Sequence, residues 1–334
     1  MQIHDKVAVI GAGSWGTALA LLLARKGIFV HLWAHRQEHV EQLRSCRENR
    51  AYLPGFLFPE QISVTADIKE AVADAPLVLM VVPSHVFRLV FIQLKHYLRP
   101  DTVVVSATKG IENDSLMTMT QVMEDERPAG LYAVLSGPSF AREVAEEKPT
   151  AVTAAARELT VAAQVQEVFF TERFRVYTST DVIGVELGGP LKNIVAIAAG
   201  ICDGLGYGTN TRAALITRGL AEITRLAVKM GASPLTMAGL AGLGDLVLTC
   251  TGELSRNRSV GLKLGQGMTI GAIQEEMRMV AEGVKTTRSA WHLARRMGVE
   301  MPILEQVYLV LYEGKSCQDA TRDLLERGGK NEIG

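Results

Sequence analysis

The run Gly-Gly-Pro-Leu-Lys-Asn-Ile-Val-Ala-Ile-Ala-Ala-Gly at 188–200 sets a single lysine, Lys192, among apolar neighbours. In a helix, Val195, Ala196 and Ala199 share its face, because residues three, four and seven apart lie together. An ammonium beside that much apolar surface loses hydration, which is costly unless an opposite charge pairs with it. The apolar face lowers the lysine pKa, a second lysine nearby lowers it further, and a paired carboxylate opposes both. An unperturbed lysine, at ~10.4, is poorly matched to proton transfer at neutral pH. The balance of these influences therefore decides whether Lys192 can serve as acid and base.

Other candidate groups follow strand-like runs or sit in glycine-rich breaks. Lys109 lies in Ser-Ala-Thr-Lys-Gly-Ile-Glu, and Gly137, Ser139 and Ala141 lie in Leu-Ser-Gly-Pro-Ser-Phe-Ala. Val-Pro-Ser-His at 82–85 reads as a plain strand-to-helix turn capped by Ser84. A glycine-rich turn, Leu-Ala-Gly-Leu-Gly, delivers Asp245 and Thr249. The stretch Leu-Ser-Arg-Asn-Arg-Ser reads as a Gly/Ser-bounded loop carrying Ser255, Arg256, Asn257 and Arg258. An Arg–Asn pair there suits a phosphate: the guanidinium binds two oxygens and the amide a third. Glu282 in Val-Ala-Glu-Gly suits a helix N-terminus, where an acid complements the dipole. His35, His85 and His292 show no metal-ligand spacing, so no metal is expected.

Gly11, Gly13 and Gly16 follow the strand-like Val7–Ile10 and head a helical stretch that Gly27 closes. A second strand-like run, Phe29–Trp33, comes next. Gly11 permits the tight turn, Gly13 lets a pyrophosphate approach the backbone, and Gly16 lets helix and strand pack closely. Unpaired N–H groups and the positive dipole end at the helix start favour the phosphates. Where an NAD-selective site carries an acid for the ribose 2′-hydroxyl, this chain has Ala34-His35-Arg36. With no carboxylate and a guanidinium at hand, a 2′-phosphate is accommodated. NADP(H) is therefore expected to bind at least as well as NAD(H).

Stepping from groups to elements, strand-like runs recur at 7–10, 29–33, 77–82, 102–106, 132–135, 151–154 and 175–178. Amphipathic stretches such as Thr17–Lys26 and Val86–Tyr97 lie between them. That alternation predicts an α/β, doubly wound parallel sheet covered on both faces. From about Asp181 the texture becomes helical, at 181–205, 210–230, 234–239, 270–277, 283–297, 303–313 and 316–327. Two domains are expected, 1–180 and 181–334, the second all-α. Hydrophobic content of 48% with 21% charge fits a globular chain of 334 residues with a large core. A net charge of −1 favours neither nucleic acid nor an anionic membrane surface. Four dispersed cysteines form no CxxC pair and fit a reducing compartment. The longest uninterrupted apolar run, Ala18–Ala24, is too short to span a bilayer, and the start enters a strand pattern without a signal peptide. A cytoplasmic protein without stable membrane insertion is expected.

Taken in order, the motifs GAGSWGTALA, VPSH, ATKGIE, LSGPSFAREV, ELGGPLKNIVAIAAGICDGLGYGTNTRAALITRG, AGLGDLVLTCTG, SRNRSVG and VAEGVKT span residue 7 to about 327. This order resembles the NAD(P)-dependent sn-glycerol-3-phosphate dehydrogenases of the bacterial type. The resemblance implies a Rossmann-like domain followed by a helical one, and commonly a homodimer. It also implies reversible reduction of dihydroxyacetone phosphate, feeding glycerophospholipid synthesis. By motif, Ser14 and Trp15 would touch the cofactor, with His35 and Arg36 near the adenosine ribose. Ala141, Val280 and Glu282 would also touch cofactor, and Lys109 and Arg256 both cofactor and substrate. Gly137, Ser139, Asn193, Asp245, Ser255 and Asn257 would surround the substrate together with Lys192, the catalytic lysine, and Lys109 and Asp245 would join it as catalytic residues. Two rivals remain at this stage: a β-hydroxyacid dehydrogenase of the 6-phosphogluconate type, which needs a carboxylate-binding group, and a catalytically silent NADP-sensing protein.

Overall fold

The computed structural model describes residues 5–277, 281–329 and 331–332. Its strands are β1 (Lys6–Ile10), β2 (Phe29–Trp33), β3 (Glu48–Asn49), β4 (Leu53–Leu57), β5 (Ile62–Thr65), β6 (Leu77–Met80), β7 (Val103–Ser106), β8 (Leu131–Ser136), β9 (Thr150–Ala156) and β10 (Phe174–Ser179). Eight form one sheet in the order β10-β9-β8-β7-β6-β1-β2-β5, and β3 and β4 make a small hairpin. Val7 to Ile10 and Leu77 to Met80 are buried at every position, as strands covered on both faces require. The helices Ser14–Arg25 and Leu159–Phe169 bury Leu19, Leu23, Val165 and Phe169 in the core on one face. On the other face Ser84–Leu94 and Met119–Glu126 bury Phe87, Phe91, Val122 and Met123. The strand order reverses at β1, between β2 and β6, the place where sheets of this kind take their ligands, at the carboxyl ends of the strands.

The sheet is not parallel throughout: β9 runs antiparallel to β8, with Ser136 opposite Thr153. A parallel return needs a crossover long enough to traverse the sheet. Between β8 and β9 there is only the five-residue helix Ala141–Ala145, which packs beside Ser14–Arg25. The chain stays at the carboxyl edge, where it supplies Gly137 and Ser139, so β9 must run back. The β3–β4 hairpin and β5 gave no clear signal, because Leu-Pro-Gly-Phe-Leu carries two strand-breaking residues and β5 is four residues long.

From Val182 the described chain is helical. The helix Val182–Gly204 runs through the centre, buried from Gly184 to Cys202. It and the stretch Pro234–Thr251 are long and apolar enough to cross a membrane by length and composition. The first is enclosed by protein, and the second carries Asp245, whose carboxylate is ion-paired. The buried Glu186 carboxylate on the central helix accepts from Thr120 N–H at 2.8 Å and from the Thr120 hydroxyl. It joins the helical region to the first turn of Met119–Glu126, and burial pushes its carboxyl above the usual range.

The segment beginning at Arg256 is a helix, Arg256–Gly265, rather than the loop its composition suggests. Its glycines disfavour an isolated helix, yet here they set a backbone-to-backbone crossing. A Cβ on Gly261 would sit 1.9 Å from the Ile197 carbonyl oxygen, and one on Gly200 2.0 Å from that of Arg258. Gly204 and Gly265 meet one turn further on. The crossing holds the start of Arg256–Gly265 at a set distance from Lys192. Gly261→Ala forces rigid backbone apart, so a loss of about 1–3 kcal/mol in urea denaturation is expected. An unchanged denaturation midpoint would contradict this packing.

Candidate active site

Lys192 lies in the third turn of the central helix, and its surroundings come from a second close approach. A Cβ on Gly188 would sit 2.0 Å from the Ala241 carbonyl oxygen. The segment Leu240–Gly244, expected as a loose turn, is a π-helical turn seated against that glycine and continuous with the helix Asp245–Thr251. Asp245 thus starts a helix directly beside Lys192, and Thr249 follows one turn later on the same face. The Lys192 ammonium donates to Asp245 Oδ1 and, at 2.8 Å, to Thr249 Oγ1. The Thr249 hydroxyl donates its own hydrogen to the Asp245 carbonyl at 2.7 Å, so its lone pair faces the lysine.

The other carboxylate oxygen, Asp245 Oδ2, accepts from Lys109 Nζ at 2.7 Å. Lys109 Nζ also donates to the Gly137 carbonyl at 3.0 Å, which Ser139 Oγ reaches at 2.9 Å. One carboxylate with 0% exposure therefore holds two ammonium groups, and Lys192 itself is 6% exposed. Burial pushes the Lys192 pKa down to about 7; Asp245 pulls it up and Lys109 pushes it further down. Lys109 is fixed by its neighbour: a Cβ on Gly110 would strike Ser84 Cβ at 2.2 Å. Ser84 does not cap its helix. It is the first helical residue, Pro83 is the cap position, and no side-chain cap bond forms. Proline at 83 has no N–H and sets an extended entry, which leaves the serine inside the first turn.

Around this core stand Asn193, Arg256, Asn257 and Glu282. Asn193 is 5% exposed, and its amide has no hydrogen-bond partner among the described residues. Asn257 Oδ1 accepts from Gly283 N–H at 3.0 Å, and Arg256 and Glu282 each begin a helix. Burial pushes the Glu282 carboxyl up, while Arg256, Lys109 and Lys192 pull it down, so all four share one electrostatic field. Ser255 is the N-cap of Arg256–Gly265, its Oγ accepting from Arg258 N–H at 3.2 Å. Arg258 leaves the group: its guanidinium pairs with Asp203 at 2.7 Å. Val280 lies outside the described residues.

The glycine loop sits at the end of β1. Gly11 has φ +128°, and a Cβ there would lie 2.8 Å from the Val81 carbonyl oxygen. A Cβ on Gly16 would lie 1.9 Å from the Gly11 carbonyl oxygen, whereas one on Gly13 would meet nothing within 4 Å. Ser14 begins the helix, and the buried Trp15 Nε1 has no hydrogen-bond partner among the described residues. Beyond β2, His35 and Arg36 are exposed. Ala141, half-buried, heads its short helix and packs against the same core as Trp15. Open space over Gly13, an orphaned donor and an exposed guanidinium in place of an acid fit a dinucleotide. Among the described residues no group of three His, Cys, Asp or Glu is placed to hold a metal.

The family model of the NAD-dependent glycerol-3-phosphate dehydrogenase N-terminus matches residues 6–162, and that of the C-terminus matches residues 181–322. The chain is 58% identical to glycerol-3-phosphate dehydrogenase [NAD(P)+] of Citrifermentans bemidjiense, covering 98% of this chain and 99% of that one. It is 59% identical to the enzyme of the same name from Geobacter sulfurreducens, covering 99% of each. The chain belongs to the NAD(P)-dependent glycerol-3-phosphate dehydrogenases. The crystal structure of the Coxiella burnetii glycerol-3-phosphate dehydrogenase superposes with a TM-score of 0.95 at 44% identity, covering 97% of this chain and all of that one.

Reading for motifs alone missed one support of the glycine loop in this dehydrogenase. Asn49, in β3 and fully buried, donates through Nδ2 to the Ala12 carbonyl at 2.9 Å and to Thr17 Oγ1 at 2.7 Å. Ser14 Oγ donates to the Tyr52 carbonyl at 2.7 Å. The available signal was an asparagine ahead of Tyr-Leu-Pro-Gly, a turn that folds the hairpin back over the loop. Asn49→Ala removes the shared donor. A several-fold rise in KM for the nicotinamide cofactor is expected, with little change in KM for the phosphorylated substrate. Equal cofactor KM values in steady-state kinetics would refute that support role.

Proposed function

We propose that this chain interconverts dihydroxyacetone phosphate and sn-glycerol 3-phosphate, with Lys192 as the acid and base. The observation that carries this reading is the buried Lys192–Asp245–Lys109 chain, with a Lys192 pKa near 7. NAD(P)H, when bound, supplies the hydride for the ketone carbon. As charge builds on the carbonyl oxygen, protonated Lys192 donates a proton to it. In the reverse direction neutral Lys192 takes that proton from the alcohol. Asp245 stays bonded to both lysines, one carboxylate oxygen to each. Thr249 accepts from Lys192 and holds the ammonium in one direction. Asn193, Gly137 and Ser139 line the substrate position.

Arg256 and Asn257, at the start of a ten-residue helix with Ser255 as its cap, bind the substrate phosphate away from the reacting carbon. Such remote contacts position the carbonyl, so they raise turnover as well as affinity. Gly11, Gly13, Gly16, Ser14 and Trp15 hold the pyrophosphate side of the cofactor, with His35 and Arg36 at the ribose. Lys109, Ala141, Arg256 and Glu282, together with Val280, complete the cofactor side. Residues 1–180 then serve as the dinucleotide domain and 181–334 as the catalytic domain. The family resemblance supports a homodimer, and exposed Leu235, Leu243, Val247 and Leu254 offer apolar surface for it. Four unpaired cysteines suit a cytoplasmic location, where the product enters glycerophospholipid synthesis.

Lys192→Ala is expected to lower kcat about 10²–10⁴-fold while circular dichroism and cofactor binding are retained. Near-wild-type turnover would assign the proton to another group. For ketone reduction the protonated lysine is the active form, so kcat/KM falls as pH rises through about 7. For alcohol oxidation the neutral form is active, so kcat/KM rises over the same range. Profiles in the two directions that move the same way would count against Lys192. NADPH is expected to match or exceed NADH in kcat/KM, and a hundredfold preference for NADH would overturn the reading of Arg36.

A further inference from the structure

A cavity of about 330 Å³ lies outside the catalytic cleft, between the Ile111–Asp114 stretch and the helical region. Lys285 and Arg288, three residues apart on the helix Glu282–Met297, open onto it together. Neither has an acid within ion-pairing distance among the described residues, although many exposed cations of this chain do, such as Arg142, Lys263 and Arg322. Like charges at that spacing repel on a helix surface, so the pair destabilises its own helix unless an anion joins it. A third polar group faces the same space. The Asn113 side-chain oxygen, Oδ1, accepts from the Ser289 hydroxyl, which leaves the side-chain NH₂ as a donor. Apart from Gln274, the rest of the lining is apolar: Ile270, Val284, Leu311 and the ring of Tyr312, whose hydroxyl is committed to the Val284 carbonyl at 2.7 Å.

We propose that this cavity binds a phosphomonoester carrying a short apolar chain, with Lys285 and Arg288 on the phosphate and Ile270, Leu311 and Tyr312 on the chain. Two cations match the charge of about −1.5 to −2 that such a head carries near pH 7, whereas a carboxylate satisfies only one. The volume lies at the lower end of the range for small-molecule sites, about 300–1,000 Å³. The site is separate from the phosphate position assigned to Arg256 and Asn257, and it stands whether or not that assignment holds.

The test is calorimetric titration of the full chain with monooctyl phosphate below its micelle concentration. Saturating NADPH and sn-glycerol 3-phosphate are present together, a pair that fills the catalytic site without turnover. One equivalent is expected to bind. Inorganic phosphate, octanoate and neutral octyl glucoside should each bind at least tenfold more weakly. Lys285→Ala with Arg288→Ala should weaken monooctyl phosphate at least tenfold, and exposed Lys285→Ala alone, with an unchanged melting temperature, should weaken it in part. The proposal is overturned if binding disappears once the catalytic site is filled. It is equally overturned if the double variant binds like wild type, or if any of the three control ligands binds as tightly as monooctyl phosphate.

Discussion

One buried carboxylate shared by two lysines is the interaction on which the rest of this structure depends. Taking three charges out of water costs several kcal/mol per ion unless geometry and further hydrogen bonds compensate. Here they do: Asp245 gives one oxygen to each lysine, Thr249 accepts from Lys192, and the Gly137 carbonyl accepts from Lys109. The cluster carries one net positive charge in a site that must meet a phosphorylated ketone. The same arrangement explains how an amine can be buried, paired and still near neutrality in its pKa. Desolvation and Lys109 work against Asp245, and desolvation is the largest of the three influences.

Three distant parts of the chain must converge for that cluster to exist, and small residues make the convergence possible. Gly188 admits the π-helical turn that carries Asp245, Gly110 admits Ser84 beneath Lys109, and Gly189 lies 3.0 Å, at its would-be Cβ, from Lys109 Cγ. Gly200 and Gly261 set the neighbouring helix so that Arg256 and Asn257 stand over the same space. The contacts at Gly188, Gly200 and Gly261 are against backbone, so they transmit position rigidly, as close-packed interiors do, whereas Gly110 and Gly189 make room for the side chains of Ser84 and Lys109. The position of the Lys192–Asp245–Lys109 cluster thus rests on glycines as well as on its charged groups.

Much of this was legible in the residues themselves. The glycine loop, the strand ends and the odd lysine in an apolar helix each carry a local physical signature, and β2 falls at Phe29–Trp33 as its pattern indicates. Asp245 could be named as a candidate partner of Lys192, but not shown to pair with it, since 53 residues separate them and no local rule connects them. Arg256–Gly265 read as a loop because its glycines serve a tertiary crossing that overrides helix propensity. The reversal of β9 was hidden because strand direction depends on where the connection runs, not on the strand's own residues. Asn49 was overlooked for the same reason: its role lies in what the hairpin folds onto.

Proton transfer at this site depends on the ionisation of Lys192 under the influence of Asp245. The direct measurement is an NMR titration of the Lys192 side chain, selectively labelled, in the wild-type protein and in Asp245→Asn. A midpoint near 7 is predicted for wild type, with a lower one in the variant, because the variant loses the carboxylate charge that raises it. A wild-type midpoint near 10, or one that does not move when Asp245 is neutralised, would contradict it.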